Sequence, residues 1–295
     1  MSAAQLHAPA QQWKRYLALT KPRILPMVIV TALPVLLLAA GGPPSAAPAL
    51  GVLFGIVLVA AAANTLNMYV ERDRDALMAR TKARPLPAAE LTPRAALAFG
   101  LALSVAGTAL LAWVGGPLAA ALGVATILFY VFVYTIWLKP RSVYNAVIGG
   151  AAGAAAPLIA DAAVNGSVGL PGLLLFAIVF FWQPPHVWAI ALYRRDDYAA
   201  AGIRMLPAVV GEEATRRRMV FYTVGLVLVT LLPGVLGLFG PLYLAAAGVL
   251  GAWFLWSGIR LVRARSDDAA RAVFRDSLVY LALLYAAMLL DLLLF

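Results

Sequence analysis

The sequence predicts an all-α integral membrane protein with nine transmembrane helices around an intramembrane cavity that opens to the cytoplasmic side. Of its 295 residues, 63% are apolar and 12% are charged, whereas soluble domains carry roughly 25% charged residues. The apolar residues form repeated blocks of about 20, the length at which a helix crosses the hydrocarbon core. Membrane barrels would instead show short segments of alternating hydropathy. These observations together predict a bundle of membrane-spanning helices.

Nine apolar blocks make up the predicted bundle, and a polar cytoplasmic tail over residues 1–23 precedes them. We predict that the blocks form a single domain, residues 24–295. In chain order the predicted spans are 24–42, 49–70, 95–114, 117–138, 143–160, 171–193, 218–237, 241–259 and 273–294.

The basic residues predict the orientation of this bundle. All 23 Lys and Arg residues lie in the tail or in and next to the connections after the second, fourth, sixth and eighth spans. Because Lys and Arg accumulate on the cytoplasmic side, we expect a cytoplasmic N-terminus and an outer C-terminus in the plasma membrane. This topology and attraction to anionic lipid account for the net charge of +10, so the charge does not indicate nucleic-acid binding. Because the sequence contains no Cys, disulfides, thiolate metal sites and covalent haem attachment are excluded.

Four polar residues follow one another along the second span. Asn64, Asn67, Glu71 and Asp75 recur at spacings of three, four and four, so a helix places them on one face. Asp73 points elsewhere. A solvated helix end would explain the charges, but it would not explain two Asn residues within the apolar block, because buried amides are costly without partners. The stripe is therefore a candidate binding surface.

The stripe combines hard oxygen ligands with nearby cations. Carboxylates one turn apart, with an amide below them, are ligands of the kind that Mg²⁺ takes together with substrate phosphate. The segment "RTKARPLP" follows and adds Arg80, Lys82 and Arg84. Cations beside a metal are reasonable where a polyanion lies between them. The pattern therefore favours a Mg²⁺-bound diphosphate. The metal ion and the basic side chains would both stabilise the diphosphate as it leaves.

A second charged segment follows the sixth span, "FFWQPPHVWAIALYRRDDYAAAGIRMLP", residues 180–207. Like the first, it has acidic residues at a helix end and then Arg-x-Leu-Pro, in the pairs 84–87 and 204–207. The two charged loops, 71–94 and 194–217, are therefore predicted to form opposed halves of one site. Asp197 would face the cluster around Glu71 and Asp75.

His186 lies deep in the sixth span, beside Pro184 and Pro185, which remove amide donors and should kink the helix. A freed carbonyl or the amide of Gln183 could simply satisfy the imidazole. Alternatively, an intramembrane His could bind haem iron or orient an aromatic substrate. Tyr193 lies two helical turns above it, and both interpretations stay open on the residues alone.

Two further basic pairs precede or follow predicted spans. Lys21 and Arg23 occur in "LTKPRI", and Lys139 and Arg141 occur in "WLKPRSVYN". Each pair is either a topological anchor on the cytoplasmic side or part of the predicted site.

The spacing Asn67-x-x-x-Glu71-x-x-x-Asp75 resembles the N-x-x-x-D-x-x-x-D motif of the UbiA-type intramembrane aromatic prenyltransferases. Five other segments, "LTKPR", "RTKARPLP", "WLKPRS", "QPPHVW" and "DDYAAAGIRMLP", are similar to signatures of one branch, the protohaem IX farnesyltransferases or haem O synthases. The resemblance implies a nine-helix fold, farnesyl diphosphate and haem B as substrates, Mg²⁺ as cofactor and haem O as product. It also implies a downstream partner, a haem A synthase or a terminal oxidase.

The resemblance also implies roles for individual residues. The implied metal ligands and catalytic residues are Asn67, Glu71, Asp75 and Asp197; the implied diphosphate-binding residues are Arg80, Lys82, Arg84, Lys139 and Arg141; and the implied haem-binding residues are His186 and Tyr193.

The sequence departs from the wider superfamily at two places, and the second concerns the acceptor. Glu71 stands where the first Asp usually is, and His186 and Tyr193 stand where quinone-type enzymes tend to carry Asp, which argues for haem over a phenol. Two rival functions remain: prenylation of a quinone precursor, and membrane transport, because intramembrane carboxylates also serve ion pathways. The charges of a transporter should extend toward the far face, and here they stop at one end.

Overall fold

A computed structural model of the chain describes residues 9–39 and 45–294, and every regular element within these ranges is helical. The first eight residues of the predicted tail, the end of the predicted span 24–42 and Phe295 lie outside the described residues.

Twelve α-helices make up the described structure, and a π-helix, Phe129–Leu138, continues the fourth. The helices are α1 (Pro9–Leu19), α2 (Leu25–Ala39), α3 (Ala46–Asp75), α4 (Pro93–Leu128), α5 (Asn145–Gly153), α6 (Ala156–Asn165), α7 (Leu170–Tyr193), α8 (Arg195–Ala200), α9 (Leu206–Val210), α10 (Glu212–Val235), α11 (Pro241–Ala264) and α12 (Asp267–Leu294).

Seven helical segments within the described ranges are long and apolar enough to cross a membrane. The all-helical membrane architecture is therefore confirmed. The seven include α4 and its π-helical extension as one segment of 46 residues, and α5 and α6 as one segment of 21 residues, whereas α2 has only 15 residues.

The long segment that contains α4 reverses its direction at Gly116. Gly116 has φ +79°, a left-handed conformation that glycine adopts without a steric penalty. Beyond it, a Cβ atom built on Gly123 would lie 3.0 Å from Leu111 Cδ1. Because twelve residues of straight helix would separate these positions by about 18 Å, the two arms form an antiparallel hairpin. The predicted boundary between spans 95–114 and 117–138 therefore matches a turn within α4.

Two predicted segments differ in their helix bounds from the structure. The predicted span 143–160 corresponds to the segment Asn145–Asn165, in which a short break separates α5, ending at Gly153, from α6, beginning at Ala156. The charged residues of segment 260–275 predict a solvated inner loop, and this prediction is wrong, because α11 continues to Ala264 and α12 begins at Asp267. Charged side chains at these ends reach water and pair along the helix, as Arg271 does with Asp268 at 2.7 Å. Charge therefore marks where the apolar face ends rather than where the helix ends.

The two ends of the bundle differ in charge. At the end formed by the charged loops, ion pairs connect separate elements, including Arg195 with Asp267 at 2.7 Å. At the other end, two buried aspartates bind the amides that begin helices. Asp161 accepts hydrogen bonds from the amides of Gly169 (2.7 Å) and Gly172 (3.1 Å), and Asp291 accepts one from the amide of Tyr243 (3.0 Å). These carboxylates cap α7 and α11, which accounts for their presence on the uncharged side.

Candidate functional site

The predicted polar stripe lies on one buried face of α3. Asn64, Asn67, Glu71 and Asp75 each expose between 2% and 8% of their surface. The side chain of Asp73, by contrast, is 86% exposed. The periodicity of the sequence therefore identified which face of the helix turns inward.

Each buried carboxylate of the stripe has a cationic partner from another part of the chain. Glu71 forms an ion pair with Lys139, which follows the π-helix, and its Oε2 accepts a hydrogen bond from Asn67 Nδ2 at 2.9 Å. Asp75 Oδ2 lies 2.6 Å from Arg84 Nη1. Because removing a charge from water is costly unless it is paired, these cations allow two carboxylates to remain buried near each other.

Asn67 connects the stripe to its neighbours. Its amide nitrogen donates to Glu71 and, at 3.0 Å, to Thr135 Oγ1, while its amide oxygen accepts from Lys21 Nζ at 2.8 Å. Thr135 lies in the π-helix and donates to the carbonyl of Tyr130 at 2.7 Å. This explains a buried amide within an apolar span, because its donors and its acceptor are all satisfied.

Lys21 belongs to this site, although it is not among the predicted site residues, because a topological anchor also explains its position in the sequence. It has φ +54°, which costs a residue with a side chain about 1–2 kcal/mol. Asn64 Nδ2 donates to the carbonyl of Thr20 at 3.1 Å and so holds the turn that carries Lys21. Such strain persists where the surroundings impose it, frequently at functional sites. The proline that follows Lys21 favours a turn at this position, and it is the sequence signal that could have indicated a role for Lys21 in the site.

Burial places Lys21 in an unusual electrostatic environment. Its pKa is lowered from 10.5 to about 7, chiefly by burial and then by Arg84, while Glu71 acts in the opposite direction. An anion that approached Lys21 would favour its charged form. The site therefore has three basic side chains, those of Lys21, Arg84 and Lys139, on one polar surface.

The structure does not bring every predicted basic residue into this cluster. Arg80 and Lys82 are exposed, and neither forms an ion pair with any described residue. Arg141 is also exposed and donates to the carbonyls of Ile136 (3.2 Å) and Trp137 (3.1 Å), so it caps the π-helix. Of the five predicted diphosphate-binding residues, only Arg84 and Lys139 contact the stripe.

The two charged loops pack against each other through apolar side chains. Met78, three residues after Asp75, is buried in a cluster that includes Ile203 and Met205 of the second loop. Within this second loop, Asp197 Oδ2 is buried, and its nearest cation is Arg194 at 3.9 Å. That oxygen has no hydrogen-bond partner among the described residues, so a buried acceptor remains available to a ligand.

The donor atoms of this region fit Mg²⁺ when substrate oxygens complete its coordination. No group of three or more His, Asp or Glu side chains in the described part of the chain could hold a metal ion by itself. Mg²⁺, however, is usually bound through one or two carboxylates together with substrate phosphates and water. The carboxylates of Glu71 and Asp75, the amide of Asn67 and the unpaired oxygen of Asp197 supply hard oxygen ligands of this kind.

His186 and Tyr193 share one face of α7, which continues through Pro184 and Pro185. The imidazole of His186 is half-buried and stacks on Trp182, with ring centroids 4.4 Å apart. Phe274 of α12 contacts both rings, at 4.8 Å from His186 and 6.2 Å from Tyr193. The structure therefore places the two predicted haem-binding residues on a common aromatic surface.

The hydrogen-bond partner of His186 differs from the partners that the sequence suggested. Its Nδ1 lies 2.7 Å from Ser277 Oγ of α12. Gln183 instead donates to the carbonyl of Gly150 at 2.7 Å. Arg271 is a further residue that the sequence reasoning missed, and its guanidinium lies 5.4 Å from the Tyr193 ring centroid. Only the packing of α12 against α7 brings these groups together.

An apolar groove of about 380 Å³ lies between α3 and the two arms of the α4 hairpin. Leu66, Tyr69 and Val70 line it from α3. These residues occupy a different face of α3 from Asn67 and Glu71. The groove is therefore distinct from the polar stripe.

The fold and the site define a multi-pass helical membrane protein with a buried, charge-paired polar cluster at one end of its bundle. The chain belongs to the UbiA prenyltransferase family, whose model matches residues 28–287. It is similar to the protoheme IX farnesyltransferase of Acidiphilium cryptum (strain JF-5), with 48% identity over 97% of this chain and 92% of that protein. The corresponding protein of Rhodopseudomonas palustris (strain BisB5) is 46% identical over 94% of this chain and 89% of its own length.

Other relatives are longer. A protoheme IX farnesyltransferase from Roseiflexus sp. (strain RS-1) is 44% identical over 94% of this chain, yet the chain spans only 52% of that protein. Among solved structures, one from a study of digeranylgeranylglyceryl phosphate synthase has a TM-score of 0.80 at 19% identity, covering 96% of this chain and 99% of that one. A UbiA homologue from Archaeoglobus fulgidus bound to DMAPP and Mg²⁺ has a TM-score of 0.68 at 17% identity, covering 95% of this chain and 100% of that one. At these identities the structures support the fold alone.

Proposed function

We propose that this chain transfers a farnesyl group from farnesyl diphosphate to a vinyl group of haem B, with addition of water, giving haem O and diphosphate. The main support is the 48% identity to a protoheme IX farnesyltransferase across nearly the full length of both proteins. The prenyltransferase class also agrees with the geometry, because paired carboxylates and cations at one end of an apolar bundle suit a diphosphate that carries a lipid tail.

The polar cluster is suited to binding the diphosphate. Lys21, Arg84 and Lys139 would neutralise its charge, and their present partners on α3 hold them in position before it binds. We assign the metal to Asn67, Glu71, Asp75 and Asp197, which is consistent with the Mg²⁺ bound in the Archaeoglobus fulgidus homologue. Bound Mg²⁺ would supply charge neutralisation that stabilises diphosphate as it leaves. Arg80, Lys82 and Arg141 are retained as outer diphosphate contacts.

The reaction requires no covalent link to the protein. The bond between farnesyl C1 and the diphosphate oxygen breaks, and the electron pair leaves with diphosphate, giving a delocalised allylic cation. The π electrons of a haem vinyl group then form the new carbon–carbon bond. Water captures the resulting cation and loses a proton, which leaves a hydroxyethylfarnesyl group. The apolar walls of the bundle would exclude water from the first cation.

His186 and Tyr193 are proposed to bind the haem. His186 lies about two helical turns from Tyr193, deeper in α7 than the charged loops, where an apolar macrocycle is better accommodated than a diphosphate. We propose that its imidazole ligates the iron. Trp182 and Phe274, which contact the ring on α7 and α12, would pack against the porphyrin region.

The proposed topology has nine spans, with the charged loops and the opening of the active-site cavity on the cytoplasmic side of the plasma membrane. The turn at Gly116 divides the α4 segment into two spans, and α2 would supply the ninth. The N-terminus would be cytoplasmic and the C-terminus outside, because basic residues collect on the inner face. Haem O would pass to a haem A synthase or a terminal oxidase.

One assay tests the proposal directly. The purified protein is incubated with haem B, farnesyl diphosphate and Mg²⁺, and the haem products are separated by chromatography and identified by mass spectrometry. We expect haem O, and we expect its formation to stop when a chelator removes Mg²⁺. A parallel incubation with 4-hydroxybenzoate tests the quinone-type alternative, and prenylation of that phenol with no haem O would contradict the proposed acceptor.

A further inference from the structure

The hydroxyl of Ser277 is placed to control the protonation of His186. Ser277 is completely buried on α12. Its Oγ lies 2.7 Å from His186 Nδ1 and 2.6 Å from the carbonyl oxygen of Phe274. The backbone of the same residue is also fixed, because its carbonyl accepts a hydrogen bond from Trp182 Nε1 at 2.7 Å. Ser277 thus contacts both rings of the stacked Trp182–His186 pair.

The short contact to Phe274 determines where the single hydroxyl proton lies. A carbonyl oxygen only accepts hydrogen bonds, so two oxygens 2.6 Å apart need the Ser277 proton between them. Ser277 Oγ then has only lone pairs to offer His186. A neutral imidazole carries one proton, and Nδ1 must hold it in order to donate to Ser277.

Nε2 is consequently the unprotonated nitrogen. No side chain or backbone group among residues 12–39 and 45–294 forms a hydrogen bond with it. The ring is only half-buried, and its faces are covered by Trp182 and Phe274. A neutral imidazole with a free lone pair on one nitrogen and a hydrogen bond at the other is the arrangement that metal-ligating histidines commonly have.

We propose that Ser277 is a positioning residue that fixes the tautomer and orientation of His186, so that Nε2 presents its lone pair to the haem iron. This inference rests on the proposed binding of haem by His186. Ser277 does not touch the substrate, and it acts only through the imidazole. By accepting a hydrogen bond from Nδ1–H, it also raises the basicity of the ligand.

The test compares variants of the full-length purified protein titrated with haem B. Ser277→Ala is expected to weaken haem binding about tenfold, the lower end of the effect of losing a partner of a metal ligand. It should also shift the iron–histidine stretching frequency of the ferrous complex in resonance Raman spectra. Binding of farnesyl diphosphate with Mg²⁺ should be unchanged, which also shows that the variant folds.

Two controls separate the hydroxyl from packing. The side chains introduced by Ser277→Thr and Ser277→Val have nearly the same shape, but only Thr keeps a hydroxyl. Only the Thr variant should therefore keep the wild-type iron–histidine frequency. Ser257→Ala removes another buried hydroxyl, which donates to Asp276 at 2.6 Å rather than to His186, and its spectrum should match the wild type. Equal spectra and affinities for the Thr and Val variants would overturn the role of Ser277.

His186→Ala distinguishes this inference from the proposed haem ligation. If it abolishes the iron–histidine band while all Ser277 variants keep it at the wild-type frequency, His186 is the ligand and only the role of Ser277 fails. If His186→Ala leaves the haem spectrum unchanged, the ligation is wrong, and the inference about Ser277 fails with it.

Discussion

Replacing Glu71 by Gln removes one charge from the centre of the polar cluster while keeping the size of the side chain. Glu71 is 5% exposed and pairs with Lys139, and its other oxygen accepts from Asn67 at 2.9 Å. Gln retains an oxygen for Asn67 but no longer offers a carboxylate to Mg²⁺. Losing one preorganised electrostatic contact costs about 2.7–4 kcal/mol in the transition state, a decrease of roughly 10²–10³ in kcat.

The matched control is Asp73→Asn, two residues away on the same helix. Its side chain is 86% exposed and lies 3.7 Å from Arg72. Because exposed ion pairs contribute about 0–1 kcal/mol, this change should reduce turnover by less than about fivefold. Asp75→Asn, on the buried face, should behave like the Glu71 variant, since it removes the partner of Arg84.

The assay is haem O formation under saturating farnesyl diphosphate and haem B, with thermal unfolding measured on each variant. Unfolding matters because an unpaired, partly buried Lys139 would also destabilise the fold. A variant that remains folded but loses turnover supports the metal-binding role. Equal, small effects of the substitutions at positions 71, 73 and 75 would refute the assignment of the buried face of α3 to catalysis.

Three further predictions test separate parts of the structure. Lys21→Met should raise KM for farnesyl diphosphate at least about tenfold, because hydrogen bonds to charged groups contribute about 1.5–3 kcal/mol. Lys82→Met, at an exposed position, should change KM by less than about fivefold. A larger effect of Lys82→Met than of Lys21→Met would contradict the placement of Lys21 in the diphosphate site. His186→Ala should weaken haem binding and alter its absorption spectrum, while diphosphate binding in Mg²⁺ stays near the wild-type value; the opposite pattern would assign His186 to the metal cluster. A reporter after Phe295 should lie outside the cytoplasm and one near residue 88 inside; a cytoplasmic C-terminus would show that the number of spans is not nine.

The predicted polar face of α3 was accurate because it depends on local geometry. Residues three or four apart share a helix face whatever surrounds the helix, so the burial of Asn67 and Glu71 and the exposure of Asp73 follow from spacing. The same is true of the boundary at Gly116, which a Gly-Gly-Pro sequence marks. The helix ends beyond Arg260 were missed because charged residues continue a helix once they can reach water.

The sequence by itself determined the helical membrane class, the apolar blocks and the gathering of basic residues at one end. Those properties depend on composition and on a period of 3.6 residues, and both are local. Only the tertiary structure decided which cation meets which carboxylate: Lys139 pairs with Glu71, 68 positions away, while Lys21 reaches Asn67 across 46. It also decided that Ser277 rather than Gln183 faces His186. Such partners depend on how separate helices pack, because hydrogen bonds and ion pairs form only where side chains meet within a few ångströms, and no periodicity along one helix records the position of another.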